Sequence, residues 1–295
     1  MLCDRPRAPA RFLVLGSASP ELVRQGAETL AGRIAFVEMG GFELRELGSA
    51  QLGRLWLRGG FPRSFLARSA ADSFRWREDF VRIFLERDLR TLGFTIPAPA
   101  LRRLWMMIAH YHGQSWNASE ISRSLGAAHT TVKRHLDVLT GALVVRQLQP
   151  WFENLGKRQV KAPKVYVRDS GVLHALLGLS TQAALESHPK LGASWEGLVI
   201  EQAIAAIGER NAYYWATQSG AELDLLVLAG GRRIGVEAKY ADAPRLTKSM
   251  HVARADLGLQ RVFIAYPGDK RYSLADWAEV VPPAALVREL AALAG

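Results

Sequence analysis

The 295-residue sequence predicts a multi-domain α/β protein, and three observations carry that prediction. Near the C-terminus a glycine pair, Gly230-Gly231, separates two β-like runs inside a helix, strand, hairpin, helix, strand succession. In the middle, two short helical patterns meet at Gly126 and precede a second hairpin pattern. At the start, the apolar run Arg11 to Gly16 feeds a helix opening at Ser19-Pro20-Glu21, where serine caps free amides and proline suits the first turn.

Composition bounds the alternatives. With 49% hydrophobic and 22% charged residues the chain is neither disordered nor collagen-like, and it can bury one large or two to three small cores. Cys3 is the one cysteine, which excludes a disulfide scaffold and a four-cysteine zinc site. The longest charge-free stretch, Ser170 to Leu185, is too short and polar to span a bilayer, so a cytoplasmic protein without membrane contact is expected.

Taken in order, the N-terminal strand and helix read as the tail of an α/β domain whose earlier strands are absent from this chain, since one strand cannot make a sheet. Residues 51–93 are helical in pattern. Trp76, Phe80, Ile83, Phe84 and Leu89 recur at three- to five-residue steps and predict one buried face, a packing helix. Pro97-Ala98-Pro99 marks a linker. The expected division is residues 1–95, 96–170 and 171–295.

The net charge of +10 is uneven. Residues 101–175 hold 11 Lys and Arg against 4 Asp and Glu, a net +7, against +4 before them and −1 after them. A positive field packed into so short a segment suits a surface that neutralises phosphates, although 30 of the 38 basic residues are Arg, a bias that a GC-rich genome also produces. Leu101 to His110 is periodic like a helix, and Asn117-Ala118-Ser119-Glu120 has the form of a cap with a reciprocal carboxylate. The helix from Ala118 stops at Gly126, and a second begins near His129, a helix-turn-helix arrangement. The second exposes Thr130, Thr131, Lys133, Arg134 and Asp137, residue types that reach phosphates and base edges. Leu143 to Leu148, a basic tip at residues 154–158 and Lys164 to Val167 read as a wing, with Lys157, Arg158 and Lys161 placed beside a nucleic-acid backbone. The expected partner is DNA; a winged unit used only for protein contact is the alternative.

The sharpest chemistry lies in Ala221 to Tyr240. With Gly230-Gly231 as the turn, Asp224 falls opposite Glu237 and Glu222 opposite Lys239. Alternation puts these four on one face and Leu223, Leu225, Val227, Ile234, Val236 and Ala238 on the other. Opposed carboxylates about 5 Å apart repel unless a cation or proton lies between them, and Mg²⁺, which prefers hard oxygen ligands, would remove the conflict. Asp224 and Glu237 are the candidate metal ligands, and Lys239 the group that positions a water. Chance, with Glu222–Lys239 an ordinary cross-strand ion pair, is the competing reading.

Asp224 followed by Glu237-Ala238-Lys239 resembles the PD-(D/E)XK signature of restriction-endonuclease-like nucleases, and the flanking αβββαβ pattern agrees. That resemblance implies a further acid from the preceding helix, Glu196 or Glu201, with Glu196 preferred. Across residues 11–270, RFLVLGSASPEL, LAGR, GGFP, LERDL, VYVRDSGVLHALLG, WEGLVIEQ and GAELDLLV through VEAKY resemble the C-terminal part of a bacterial and archaeal family of AAA+-like ATPases. It assigns Ser17 to a sensor strand and Arg33 to phosphate sensing. No GxxxxGK[ST] segment is present, so ATP binding and hydrolysis are not expected from this chain alone, and a truncated gene product or a misplaced start codon is expected.

Three readings therefore stand: a DNA-binding protein with a Mg²⁺-dependent nuclease-like domain, a non-catalytic DNA- or protein-binding adaptor, and an ATP-binding protein only when the missing part is supplied. Assembly with a second copy or another protein is left open. His110 and His112 have no carboxylate at ligand spacing, which favours a structural role.

Overall fold

A computed structural model describes residues 35, 37–91, 94, 96–152 and 159–294. The N-terminal strand and helix, Ser17, Arg33, Lys157 and Arg158 lie outside them. The described chain is mixed α/β, with one three-stranded and one six-stranded sheet.

The first described elements are helical: α1 (Leu44–Leu47), α2 (Leu52–Arg58), α3 (Pro62–Phe65) and α4 (Ala70–Ile83). Ser69 starts α4 by accepting a hydrogen bond from the Asp72 amide. Past Ile83 the helix widens into a π turn, Phe84–Asp88, before a last turn at Leu89–Thr91. The expected single face is corrected here: the buried face of α4 runs through Ser73, Arg77 and Val81 at four-residue steps and continues to Phe84, Leu85 and Leu89, while Ile83 falls on the exposed side. Arg77 is wholly buried and donates to the carbonyls of Leu57 and Gly171, tying α4 to α2 and to the later helical turn at Gly171.

The middle segment folds as α5 (Ala98–His110), β1 (Gln114–Ser115), α6 (Ala118–Leu125), α7 (His129–Gly141), β2 (Val145–Leu148) and β3 (Lys164–Val167). Asn117 accepts from the Glu120 amide, and Gly126 takes the left-handed conformation that ends α6. The strands pair antiparallel in the order β1-β3-β2. Val132, Leu136 and Leu139 of α7 join Leu104, Trp105 and Ile108 of α5 in one core.

After α8 (Ser170–Leu176) and α9 (Gln182–Glu186) comes α10 (Leu191–Ile207), apolar on almost every side because it is covered almost all round. The six-stranded sheet follows, from β4 (Ala212–Ala216), β5 (Glu222–Ala229), β6 (Arg232–Ala238), β7 (Arg261–Ala265), β8 (Tyr272–Ala275) and β9 (Ala278–Val281). Its order is β4-β5-β6-β7-β9-β8; β6, β7 and β9 run parallel, and α11 (Lys248–Leu257) makes the crossover from β6 to β7. Thr247 is the N-cap of α11, its hydroxyl accepting a hydrogen bond from the Met250 amide. α12 (Pro283–Ala294) closes the chain beside α10. Gly230 and Gly231 form the predicted turn with φ of 55° and 70°, and the register pairs Leu225 with Val236 as expected.

The expectation of one apolar and one ionic hairpin face is corrected. Trp215 pairs with Leu223 and Tyr213 with Leu226, so two steps along β4 match three along β5. That bulge sends Leu223 with Leu226 into the core under α11, while Leu225 and Val227 pack toward α10. Both faces of the hairpin are therefore apolar, and Asp224, Glu237 and Lys239 gather where β5 leaves β6.

The two sheets meet at β4. Trp151 N–H donates to the Tyr214 carbonyl at 2.7 Å, and Val160 N–H to that of Ala216 at 3.0 Å. Arg146 of β2 adds a clamp: it is 4% exposed and bidentate on Glu201 of α10, with Glu209 3.1 Å away.

Candidate functional site

Where β5 and β6 diverge, the last registered pair is Leu225 with Val236. One step beyond, Asp224 Oδ2 accepts the Ala238 amide at 2.9 Å, so a side chain takes over from the backbone ladder. Asp224 is 7% and Glu237 3% exposed. Lys239 spans both carboxylates, 2.8 Å from Glu237 Oε2 and 3.8 Å from Asp224 Oδ2. The predicted trio is thus assembled, but Lys239 pairs with Glu237 and Asp224 and not with Glu222 as the cross-strand reading had it.

Glu196 comes from α10, as preferred. Its Oε1 accepts from Tyr166 Oη at 2.6 Å and from Lys164 Nζ at 3.0 Å. Glu201 belongs elsewhere, in the clamp with Arg146 and with Arg168 3.4 Å away. Sequence reasoning missed Lys164 and Tyr166. Lys164 Nζ also pairs with Glu222 and lies 3.9 Å from Asp224 Oδ1. β3 reads Lys-Val-Tyr-Val, an alternation that marks a strand but gives no sign that all four residues are buried. Val165 and Val167 enter the middle core, while Tyr166 faces the core of α10.

The electrostatics follow from burial. Desolvation, reinforced by the charge of Asp224, pushes Glu237 up to about 8 and Glu196 up to about 7. Desolvation opposes the charge on Lys239, but Asp224 and Glu237 outweigh it and its pKa is raised. Lys164 is raised in the same way by Tyr166, Glu196, Asp224 and Glu222 against its burial. Both amines are ammonium donors at neutral pH.

Asp224 and Glu237 offer the hard oxygen donors that Mg²⁺ takes, and buried like charges with raised pKa values are what a divalent cation would relieve. Among the described residues no three His, Cys, Asp or Glu side chains converge as a metal-binding group, so two protein carboxylates would leave the remaining positions to water and substrate oxygens.

On the middle unit, Thr130, Thr131, Lys133 and Arg134 are exposed along α7, and Lys161 is exposed on the chain leading into β3. Asp137, also exposed, accepts a hydrogen bond from Gln147. No described helix is long and apolar enough to cross a membrane.

The structure thus defines a mixed α/β protein with a buried cluster of acids and lysines where two strands part. Residues 49–183 match a domain of unknown function (DUF8612), and residues 191–286 match another (DUF4143), one found in AAA-ATPase-like proteins. The chain is 54% identical over 282 residues to the uncharacterized proteins Rv2008c of Mycobacterium tuberculosis and Mb2031c of Mycobacterium bovis. The match covers 96% of this chain and 64% of each relative, so the chain spans less than two thirds of their length. No solved structure matches it.

Proposed function

We propose that this chain is a DNA-binding protein of the AAA+-like ATPase kind, with a winged helix-turn-helix in its middle and a PD-(D/E)XK nuclease-like domain after it. In this reading α5 to β3 form the winged unit, α7 enters the major groove, and α10 to β7 form the restriction-endonuclease-like core. The observation that carries it is the meeting of Asp224, Glu237, Lys239 and Glu196 at the parting of β5 and β6. The order helix, three antiparallel strands, helix, parallel strand around those residues supports it further.

Asp224 and Glu237 would hold Mg²⁺, which when bound supplies positive charge to a phosphate oxygen and acidifies a water. Lys239, kept as an ammonium by its two carboxylate neighbours, is a donor that orients water and offsets charge growing on the phosphate, and it is not a base. Thr130, Thr131, Lys133 and Arg134 would position the duplex, with Lys157, Arg158 and Lys161 on its backbone. The test is cleavage of plasmid DNA with Mg²⁺ or Mn²⁺, run beside Asp224→Asn, together with duplex binding by Lys133→Ala/Arg134→Ala. Metal-dependent cleavage lost in Asp224→Asn and binding weakened in the double variant are expected. Binding unaffected by charge removal would refute the DNA assignment.

A second reading, the non-catalytic adaptor, is favoured by one observation: the chain supplies its own cation to the acids, with Lys164 paired to Glu196 and Glu222 and 3.9 Å from Asp224. DNA binding with no metal uptake and no cleavage, indifferent to Asp224→Asn, would select it.

A further inference from the structure

Lys164 belongs to β3 of the middle unit, yet its ammonium ends in the acid site of the C-terminal half. It is 2% exposed. A lysine so buried is costly unless carboxylates surround it, and here Glu196 at 3.0 Å, Glu222 in direct contact and Asp224 at 3.9 Å do so. Asp224 is consequently flanked on both oxygens, by Lys164 at Oδ1 and by Lys239 at Oδ2, 3.8 Å away. Lys239 comes from the site's own strand, where the Glu-x-Lys spacing requires it. Lys164 is delivered from a different sheet, and the Tyr166 hydroxyl two residues on shares its Glu196 partner. An ammonium and a divalent cation seek the same carboxylate oxygens and repel each other, so they cannot both hold Asp224 without one giving way.

We propose that Lys164 is the built-in counter-ion of this site: a positioning residue that holds Glu196 and Asp224 in the metal-free protein and is displaced from Asp224 when a divalent cation binds. This rests on reading Asp224 and Glu237 as a metal site. It accounts for how three acids stay buried together without a metal, and it makes metal affinity depend on a residue outside the Asp and Glu-x-Lys pattern.

The test is Mn²⁺ titration of the full chain by calorimetry, comparing wild type, Lys164→Gln, Lys164→Arg and Asp224→Asn. Removing the competing charge should tighten Mn²⁺ binding about tenfold in Lys164→Gln, whereas Lys164→Arg, which keeps the charge, should stay within about threefold of wild type. Binding seen in Lys164→Gln alone would also support the proposal. Equal or weaker binding by Lys164→Gln, with wild type binding and Asp224→Asn not, overturns the counter-ion role and leaves the metal site standing. No binding in any form overturns the metal site and the role with it. Should Lys164→Gln fail to fold, the wild type decides: Mn²⁺ should increase acylation of Lys164 by an amine-reactive reagent, read by peptide mass, with Lys190 as the internal reference. Unchanged labelling at saturating Mn²⁺ overturns the proposal.

Discussion

Raising the pH should destabilise the metal-free protein, and the site fixes both window and size. Glu237 titrates at about 8 and Glu196 at about 7 when folded, against about 4.5 when unfolded. Between those values the folded chain holds protons that the unfolded chain has released, so stability falls as pH rises. From pH 6.5 to 8.5 the two groups together remove about 3 kcal/mol, roughly two thirds of it from Glu237. The buried histidines act partly inside this window. Burial lowers His112 to about 3 and His174 to about 4, against about 6.5 unfolded, so the unfolded-state titration through which they add stability with rising pH is half complete at pH 6.5 and offsets about 0.8 kcal/mol of the fall, leaving a net loss of about 2 kcal/mol. Urea unfolding in EDTA at pH 6.5, 7.5 and 8.5 measures the fall directly. Glu196→Gln/Glu237→Gln should abolish the fall and leave the small rise from the histidines, and millimolar Mg²⁺ should recover most of the loss at pH 8.5. Stability that is flat or rising over this range, or the same fall in the double variant, would refute the electrostatic account.

Other outcomes follow from particular contacts. Arg146→Met leaves Glu201 buried with Arg168 as its remaining neighbour, and urea unfolding should show a loss of about 3–5 kcal/mol, most of it recovered in Arg146→Met/Glu201→Met. Gly171→Ala would set a Cβ 2.2 Å from the Arg58 carbonyl oxygen, backbone against backbone, and thermal unfolding should reveal a cost of about 3 kcal/mol or more. If Lys133 and Arg134 contact phosphates, replacing both with alanine should reduce the slope of log binding constant against log salt by about 2, measured by duplex anisotropy.

Much of this was legible in the sequence because short-range chemistry carried it. Gly230-Gly231 fixed the hairpin and its register, and Asn117 with Gly126 bounded α6. The Asp and Glu-x-Lys spacing brought Asp224, Glu237 and Lys239 together because they share one hairpin. What stayed hidden was long-range. Lys164 lies 60 positions before Asp224 in the numbering, and only the packing of β3 against α10 joins them. The β5 bulge, which moves Leu223 to the other core, arises from pairing with β4 and leaves no mark on strict alternation. The inner face of α4 was misread for the same reason: it carries Arg77, buried by donating to the distant carbonyls of Leu57 and Gly171, and a charged residue reads as exposed.

The central claim is that Asp224 and Glu237 form one divalent-cation site, and Mn²⁺ calorimetry on wild type, Asp224→Ala and Glu237→Ala tests it most directly, repeated with a DNA duplex present. The account predicts one site in the wild type, lost in both variants. Binding that survives either substitution, or no binding with or without DNA by both the wild type and Lys164→Gln, would contradict it.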